Sequence, residues 1–204
     1  MPKPDYDRAA NMAYRALLSL SITELPVRPL DILRLCKNTM VHTYDEIMPK
    51  FDMTDRWLFK LWYMENQDAV TVRRIFGDGT VRYELFYDSH AHPLRMRFTL
   101  SHELGHILLN HRDEADWEEK EADYFASQLL APQSLFLPLN ISGYDMSAEG
   151  ISSLFGISKA AAAVSLSGPK HRRDTETDSK VMKLFSLFIY NNSPSDEVTA
   201  HEAS

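Results

Sequence analysis

Residues 97–110 constrain the fold most strongly, because they have the periodicity of one helix with two different faces. At about 100° per residue, four apolar side chains form a stripe that can face a core: Leu100, Leu104, Ile107 and Leu108. His102 and His106 are four residues apart, so their imidazoles lie one turn apart and roughly 40° apart around the axis. Two imidazoles in this relation can bind one metal ion at Zn–N distances of about 2.0–2.1 Å. We therefore predict a helix that packs on one face and offers two metal ligands on the other.

Two further residues of this helix bear on the site. Glu103 projects from a neighbouring angle, from which its carboxylate can reach a water on the metal without binding the metal itself. Gly105 costs about 1 kcal/mol relative to alanine in a helix interior, which predicts close packing against another element. In a chain with 8 histidines, a chance His-Glu-x-x-His match has a probability of roughly a few per cent. The motif therefore needs support from a second element.

Residues 118–132 supply that element, because they predict a second helix that can pack on the first through Ala122, Phe125, Ala126, Leu129 and Leu130. Glu119 and Asp123 lie on one stripe, so Glu119 can complete a His₂Glu zinc site that leaves the fourth position for water. Asp123 can then accept the second-nitrogen proton of a ligand histidine. Glu118 and Glu121 remain alternative third ligands. Taken alone, these carboxylates are better explained by a solvated helix N-terminus, and it is the adjacent histidine motif that favours a metal site.

The two helices together carry a pattern that can be recognised. Residues 97–109, 119–126 and 129–132 resemble the ImmA/IrrE family of metallopeptidases. The resemblance covers residues 81–132, which include a strand-like run and a loop before the motif helix. These motifs are specific in combination, whereas the five-residue metal motif alone is not.

The resemblance implies a gluzincin-like site with one Zn²⁺ per chain. In such a site His102, His106 and Glu119 bind the metal, Glu103 is the general base, and Asp123 supports a ligand histidine. Proteases of this family act on helix-turn-helix transcriptional repressors, often those of mobile elements, prophages or stress operons. We therefore expect a zinc-dependent endopeptidase that cleaves a specific cytoplasmic protein, such as a repressor of this kind.

The residue that would stabilise the oxyanion is not assigned by the sequence. His90, His92, His111 and Tyr124 are candidates through their proximity in the sequence alone. His111 follows His106 by five residues, which turns it about 140° away on a continuous helix. A capping or supporting role therefore suits His111 better than metal ligation.

The remaining periodicities predict an α+β fold that is mostly helical, with a small antiparallel sheet beside the motif helix. Helical spacing extends over residues 6–20, 30–36 and 180–190, and strand-like runs lie at 57–64, 69–76 and 81–87. The last two runs flank the turn sequence at 77–80 and predict a hairpin. We assign the domains as follows: 1–168 is the metallopeptidase domain, 169–190 a linker and terminal helix, and 191–204 a flexible tail.

Residues 147–164 have the outline of a helix-turn-helix, with Ser158 as the N-cap of the second helix. Only Lys159 in that helix can contact phosphate, and the helix has no Arg, Asn or Gln that could read bases. The net charge of −7 also argues against general nucleic-acid binding. We expect no direct contact with nucleic acid, and a DNA-binding regulator is the disfavoured alternative.

Other features narrow the location and the competing functions. No apolar run reaches membrane-spanning length and residues 1–7 have no signal-peptide core, so a cytoplasmic location without membrane contact is expected. The single Cys36 excludes an internal disulfide and a thiolate zinc cage. The main alternative to a peptidase is a non-catalytic regulatory interaction protein that retains the peptidase fold. Glu103 favours the enzyme, because binding alone does not need this carboxylate.

Overall fold

The fold is that of a computed structural model, which describes residues 2–50, 68–112, 115–167 and 175–194. It has the predicted α+β class, with many helices and one three-stranded sheet. In chain order the elements are α1 (Tyr6–Ser19), α2 (Pro29–Leu35), β1 (Thr39–Thr43), α3 (Tyr44–Ile47), β2 (Ala69–Ile75), β3 (Val81–Tyr87), α4 (Pro93–Leu109), α5 (Asp116–Leu130), α6 (Phe136–Ile141), α7 (Ala148–Phe155), α8 (Lys159–Ser167), α9 (Thr175–Leu184) and α10 (Ser186–Asn191).

The two predicted N-terminal helices are present. α1 begins after the N-cap Asp5, whose side chain accepts a hydrogen bond from the backbone N of Arg8 at 2.9 Å. Its buried face is rich in small side chains, namely Ala9, Ala10, Ala13 and Ala16. These allow α5 to pack closely against α1. α2 begins at Pro29, in the first turn where a missing N–H costs nothing, and packs against α4.

The sheet differs from the prediction, because it is mixed and not purely antiparallel. β2 and β3 form the predicted antiparallel hairpin, with Ala69 opposite Tyr87 and Ile75 opposite Val81. β1 lies on the other side of β3 and runs parallel to it, which gives the strand order β1-β3-β2. Two parallel strands require a long crossover connection between them, so their pairing cannot be predicted from the local alternation of apolar and polar residues. The predicted strand at 57–64 lies outside the described residues.

α4 carries the histidine motif and begins four residues before the predicted start. Pro93 occupies its first turn, and the ring Nδ1 of His92 caps it by accepting from Leu94 N at 3.3 Å. The helix ends at Leu109 because Asn110 adopts a left-handed conformation, with φ 54° and ψ 44°. This reversal turns the chain that follows back towards the helix.

α4 packs against α5, and β2 packs on another side of α4. The two helices approach closely at Gly105. A Cβ at that position would lie 3.2 Å from Ala122 Cα and 3.1 Å from Phe125 Cδ1. The predicted close packing at Gly105 is confirmed, and it sets the spacing between the two helices.

α7 and α8 form the predicted helix pair, bent by 112°. Gly156 ends α7 in a left-handed conformation, and the Ser158 hydroxyl accepts from Ala161 N at 3.1 Å, which confirms the predicted N-cap. Lys159 forms an ion pair with Glu149 at 2.9 Å. Lys159, the residue of α8 that could contact a DNA phosphate, is therefore already paired with a carboxylate.

The predicted terminal helix is present as α9 and α10. Val181, Phe185 and Ile189 are buried in the core, and α9 packs against α1. The predicted tail lies outside the described residues from residue 195 onward. Among the helices that the structure describes, none alone is long and apolar enough to cross a membrane. The bent α7–α8 pair reaches that length and composition only when both helices are counted together.

Candidate metal centre

Three side chains of α4 and α5 converge on one point. The Nε2 atoms of His102 and His106 lie 2.9 Å apart. The carboxylate oxygens of Glu119 lie 3.3 Å from His102 Nε2 and 3.4 Å from His106 Nε2. Atoms that bind a tetrahedral ion at about 2.0–2.1 Å are separated from each other by roughly 3.3–3.4 Å. Glu119 presents a different oxygen to each histidine, Oε2 to His102 and Oε1 to His106, and these separations are close to those on one face of a zinc tetrahedron.

Asp123 holds His102 from the solvent side. His102 Nδ1 donates to Asp123 Oδ1 at 2.8 Å, because an ionised carboxylate can only accept. The lone pair of His102 Nε2 is then free to face the cluster. Burial lowers the pKa of His102, but the hydrogen bond to Asp123 and the charges of Asp123, Glu103 and Glu119 outweigh burial and leave the pKa raised. The surrounding carboxylates thus favour positive charge at this point.

His106 is held from the inside of the domain by two further side chains. His111 Nε2 lies 3.2 Å from Glu121 Oε2 and donates to it, so a neutral His111 ring accepts through Nδ1. His106 Nδ1, 3.0 Å from His111 Nδ1, is then the donor, and its Nε2 lone pair faces His102. Burial and the imidazoles of His102 and His111 lower the pKa of His106 to about 3. The His106 ring is therefore neutral at neutral pH, which is the form that binds metals.

Glu121 anchors this inner chain of contacts. The side chains of Glu121 and His111 are both only 2% exposed. Glu121 accepts from Asp5 N at 2.8 Å and from Arg8 Nη1 at 3.0 Å, and Arg8 also donates to the carbonyl of Leu109. A buried carboxylate is tolerated when charged and hydrogen-bonding partners surround it in this way. The N-terminal helix thus takes part in supporting the second histidine.

The two alternative third ligands are engaged elsewhere. Glu121 supports His111, and the buried Glu118 accepts from Arg112 N at 3.2 Å. Within the described residues, the donors able to share one metal ion are those of His102, His106 and Glu119. The geometry therefore favours Glu119 as the third ligand.

Glu103 and the three donors line a cavity of about 810 Å³ between α4, α5 and β2. Asp68 and Asp123 add further negative charge to its wall. The buried Tyr44, which the sequence did not single out, lies within the electrostatic reach of this site. Burial raises the pKa of Tyr44, and the nearby charge of Glu103 raises it further. Tyr44 therefore stays protonated beside the catalytic candidate.

The residues predicted for the oxyanion are placed differently from one another. Of the four, His111 alone lines the cavity, and both of its ring nitrogens face polar partners. His90 is 76% exposed, and His92 caps α4. The ring of Tyr124 packs edge-on against Tyr6, with centroids 5.0 Å apart. The structure does not bring His90, His92 or Tyr124 to the metal cavity.

Three hydrogen-bond donors that the sequence did not indicate line the same cavity: Arg73, Tyr83 and Arg112. Arg73 and Tyr83 are cross-strand partners on β2 and β3, so the hairpin register places them side by side. Alternation along the strands could have placed both on one face. The position of that face beside α4 follows only from tertiary packing. These donors are able to stabilise negative charge on a bound ligand.

Comparisons with known proteins agree with this geometry. A family model described as the IrrE N-terminal-like domain, Peptidase_M78, matches residues 59–167. The match includes both helices of the metal centre and more than half of the 204-residue chain. The chain therefore belongs to this peptidase family. A search of curated proteins found no match.

Proposed function

We propose that this member of the IrrE N-terminal-like family is a zinc-dependent endopeptidase with His102, His106 and Glu119 as its metal ligands. One observation carries the proposal. The hydrogen bonds on both Nδ1 atoms direct two Nε2 lone pairs towards each other at 2.9 Å, beside the Glu119 carboxylate. These acceptors favour positive charge among them, which either a proton on His102 Nε2 or a bound metal ion supplies. The donor set, two imidazoles and one carboxylate, is the type that catalytic zinc sites use.

The division of labour follows from the positions of the side chains. Zn²⁺ bound here supplies Lewis acidity, which polarises a carbonyl and lowers the pKa of water to about 7. Glu103 follows His102 on α4 and lines the same cavity, so its carboxylate is placed to accept a proton from the attacking water. The same carboxyl group can return this proton to the leaving amine.

The walls of the cavity suit a polypeptide. Within the part of the chain that the structure describes, β2 pairs with β3 alone, and Ala69, Val70 and Thr71 of β2 line the cavity. The unpaired edge of a strand offers backbone N–H and C=O groups to an extended peptide. This edge therefore supports a protein substrate.

We further propose that the substrate is a helix-turn-helix transcriptional repressor that is cleaved in the cytoplasm. A mobile element, prophage or stress operon would encode this repressor. The resemblance of residues 97–132 to ImmA/IrrE proteases supports it. Charge complementarity also supports it, because DNA-binding proteins carry basic faces, whereas this chain has a net charge of −7 and acidic cavity walls.

Metal content tests the ligand set. Wild type, His102→Ala and Glu119→Ala, purified without an affinity metal, are analysed for zinc by elemental analysis. About one zinc per chain in wild type and loss in both variants is the expected result. Full retention of zinc in Glu119→Ala would exclude Glu119 as a ligand.

Cleavage tests the activity and the substrate class. New protein N-termini are compared by mass spectrometry in cells that express wild type or Glu103→Gln. A cleaved DNA-binding repressor in wild type alone is expected. Equal regulatory effects of both proteins without new N-termini would favour the non-catalytic interaction protein instead.

A further inference from the structure

A second cavity adjoins the metal site and differs from it in character. It has a volume of about 500 Å³ and lies between α5, α8 and the start of α1. Its wall side chains include Tyr6, Phe98, Tyr124, Ile157, Ala161 and Val164. We call it the apolar groove. The metal cavity, by contrast, has several carboxylates and two arginines on its walls.

Several apolar side chains are exposed to solvent in the apolar groove, whereas such side chains are usually buried. Val164 is 67% exposed, Tyr6 40% and Phe98 37%, and all three border this one groove. Exposed apolar side chains that cluster in a concave region are more typical of a binding site than of the rest of a protein surface.

Contacts on two of its walls indicate that the apolar groove is preformed. Gln133 Nε2 donates to the Ser165 carbonyl at 3.0 Å, which ties α8 to the segment after α5. The edge-on contact between Tyr6 and Tyr124 fixes the opposite wall. The walls therefore need little rearrangement to receive a ligand, and a preformed site loses less conformational entropy on binding.

The groove is continuous with the metal cavity. Phe98 and Asp123 line both of them. Phe98 lies one turn before His102 on α4, and the centroids of their rings are 6.5 Å apart. One helical turn corresponds to about 5.4 Å along α4, and an extended chain advances about 3.3 Å per residue. A polypeptide with its scissile bond at the metal therefore reaches the groove within about two or three residues.

We propose that the apolar groove is the specificity subsite of this peptidase and receives one large aliphatic or aromatic side chain of the substrate, two or three residues from the cleaved bond. The inference rests on the proposed function, because the metal cavity fixes where the substrate chain runs. It adds what that function leaves open, namely which sequences are cut. The exposed face of α8 thus serves as a wall for the substrate side chain.

A randomised synthetic peptide library tests the subsite. Zinc-loaded wild type, Val164→Glu, Val164→Leu and the control Leu187→Glu are incubated with it, and cleaved sites are read by mass spectrometry. Leu187 is 72% exposed and is not among the groove residues, so it controls for a new surface charge. We expect large apolar residues to be enriched at one fixed position beside the cleaved bond. Val164→Glu should lose this enrichment and at least about tenfold in kcat/KM, mostly through KM, while Val164→Leu and the control retain both.

Peptide capture separates the two proposals. Zinc-loaded Glu103→Gln, with and without Val164→Glu, is used to retain peptides from the same library. Apolar enrichment that depends on Val164, without cleavage by wild type, supports the groove and contradicts the peptidase. Cleavage without such enrichment contradicts the groove alone, and neither capture nor cleavage contradicts both. Self-association of wild type that Val164→Glu abolishes, with peptide preference unchanged, would assign the groove to a second copy of the chain and overturn the inference.

Discussion

The two histidines proposed as metal ligands are held in the same way chemically but in opposite environments. His102 donates its Nδ1 proton directly to Asp123, whose side chain is 59% exposed. His106 Nδ1 donates to His111, which in turn donates to Glu121. The side chains of His111 and Glu121 are almost fully buried. Each arrangement favours the tautomer that leaves Nε2 available for the proposed metal ion. Only the inner one is also part of the core.

This difference decides what each contact contributes. An exposed ion pair contributes about 0–1 kcal/mol, because water replaces a lost partner. The carboxylate of Glu121 and the imidazole of His111 have almost no access to water, so removal of Glu121 leaves buried donors without their acceptor at a cost of several kcal/mol. The outer support should therefore affect metal affinity alone, whereas the inner support should couple metal affinity to folding.

Glu121→Ala should have the largest effect on stability. It leaves His111, Arg8 and the Asp5 N–H without their common acceptor, and we expect a loss of about 3 kcal/mol in the free energy of unfolding. Urea denaturation of the zinc-free protein measures it. Asp116→Ala, a change at an 84% exposed carboxylate on the same helix, serves as control. A loss no larger than that of the control would remove the distinction between the inner and outer supports.

His111→Phe keeps a planar ring at the buried position but removes the acceptor for His106 Nδ1. We expect zinc affinity to fall about 10- to 100-fold, because the ligand ring loses its fixed orientation. Competition with a chelator of known affinity measures the change, and His90→Phe at an exposed position is the control. Unchanged affinity in His111→Phe would show that His106 needs no inner support.

Arg8→Ala should cost about 1 kcal/mol of stability. Its side chain is 43% exposed, and Glu121 keeps the donors Asp5 N and His111 after the change. A double-mutant cycle with Glu121→Ala sharpens the test, since contacting residues should show coupling of at least about 0.5 kcal/mol. Additive effects would mean that Arg8 acts on the fold independently of Glu121.

Asp123→Ala should have the smallest effect on folding. We expect a stability change within about 0.5 kcal/mol and a fall in zinc affinity of no more than about tenfold, since water can accept from His102 Nδ1. The same urea and chelator measurements apply. If Asp123→Ala weakened zinc binding more than His111→Phe, the ranking of the two supports would be reversed.

The sequence predicted the parts of the site that depend on local spacing. The positions of His102, Glu103 and His106 follow from the geometry of one helix, and the four-residue interval between Glu119 and Asp123 follows from that of another. The glycine penalty at Gly105 correctly indicated a close neighbour. Whether the three expected ligands hold zinc stays a prediction that metal analysis will decide.

The inner support could not be predicted, because its partners are distant in the sequence. The sequence offered Glu121 as an alternative third metal ligand on an acidic helix start, and its contact with Arg8 arises only because α1 packs there. Its rotation on a continuous helix argued against His111 as a metal ligand, and this exclusion stays a prediction. Its contact with His106 arises because the left-handed Asn110 ends that helix first. The strand β1 and its parallel pairing with β3 were not predicted for a similar reason, because a crossover connection and not local alternation determines that pairing.

The contact between Arg8 and Glu121 has a consequence for the time order of assembly. It joins residues that are 113 positions apart, whereas the histidine motif spans a single helical turn. Local helices form early, and contacts that close such long loops form late in folding. A nascent chain thus displays both histidines before His106 acquires its final orientation. If zinc binds at the proposed site, we expect high-affinity uptake to coincide with completion of the whole domain, so that zinc binding reports finished folding.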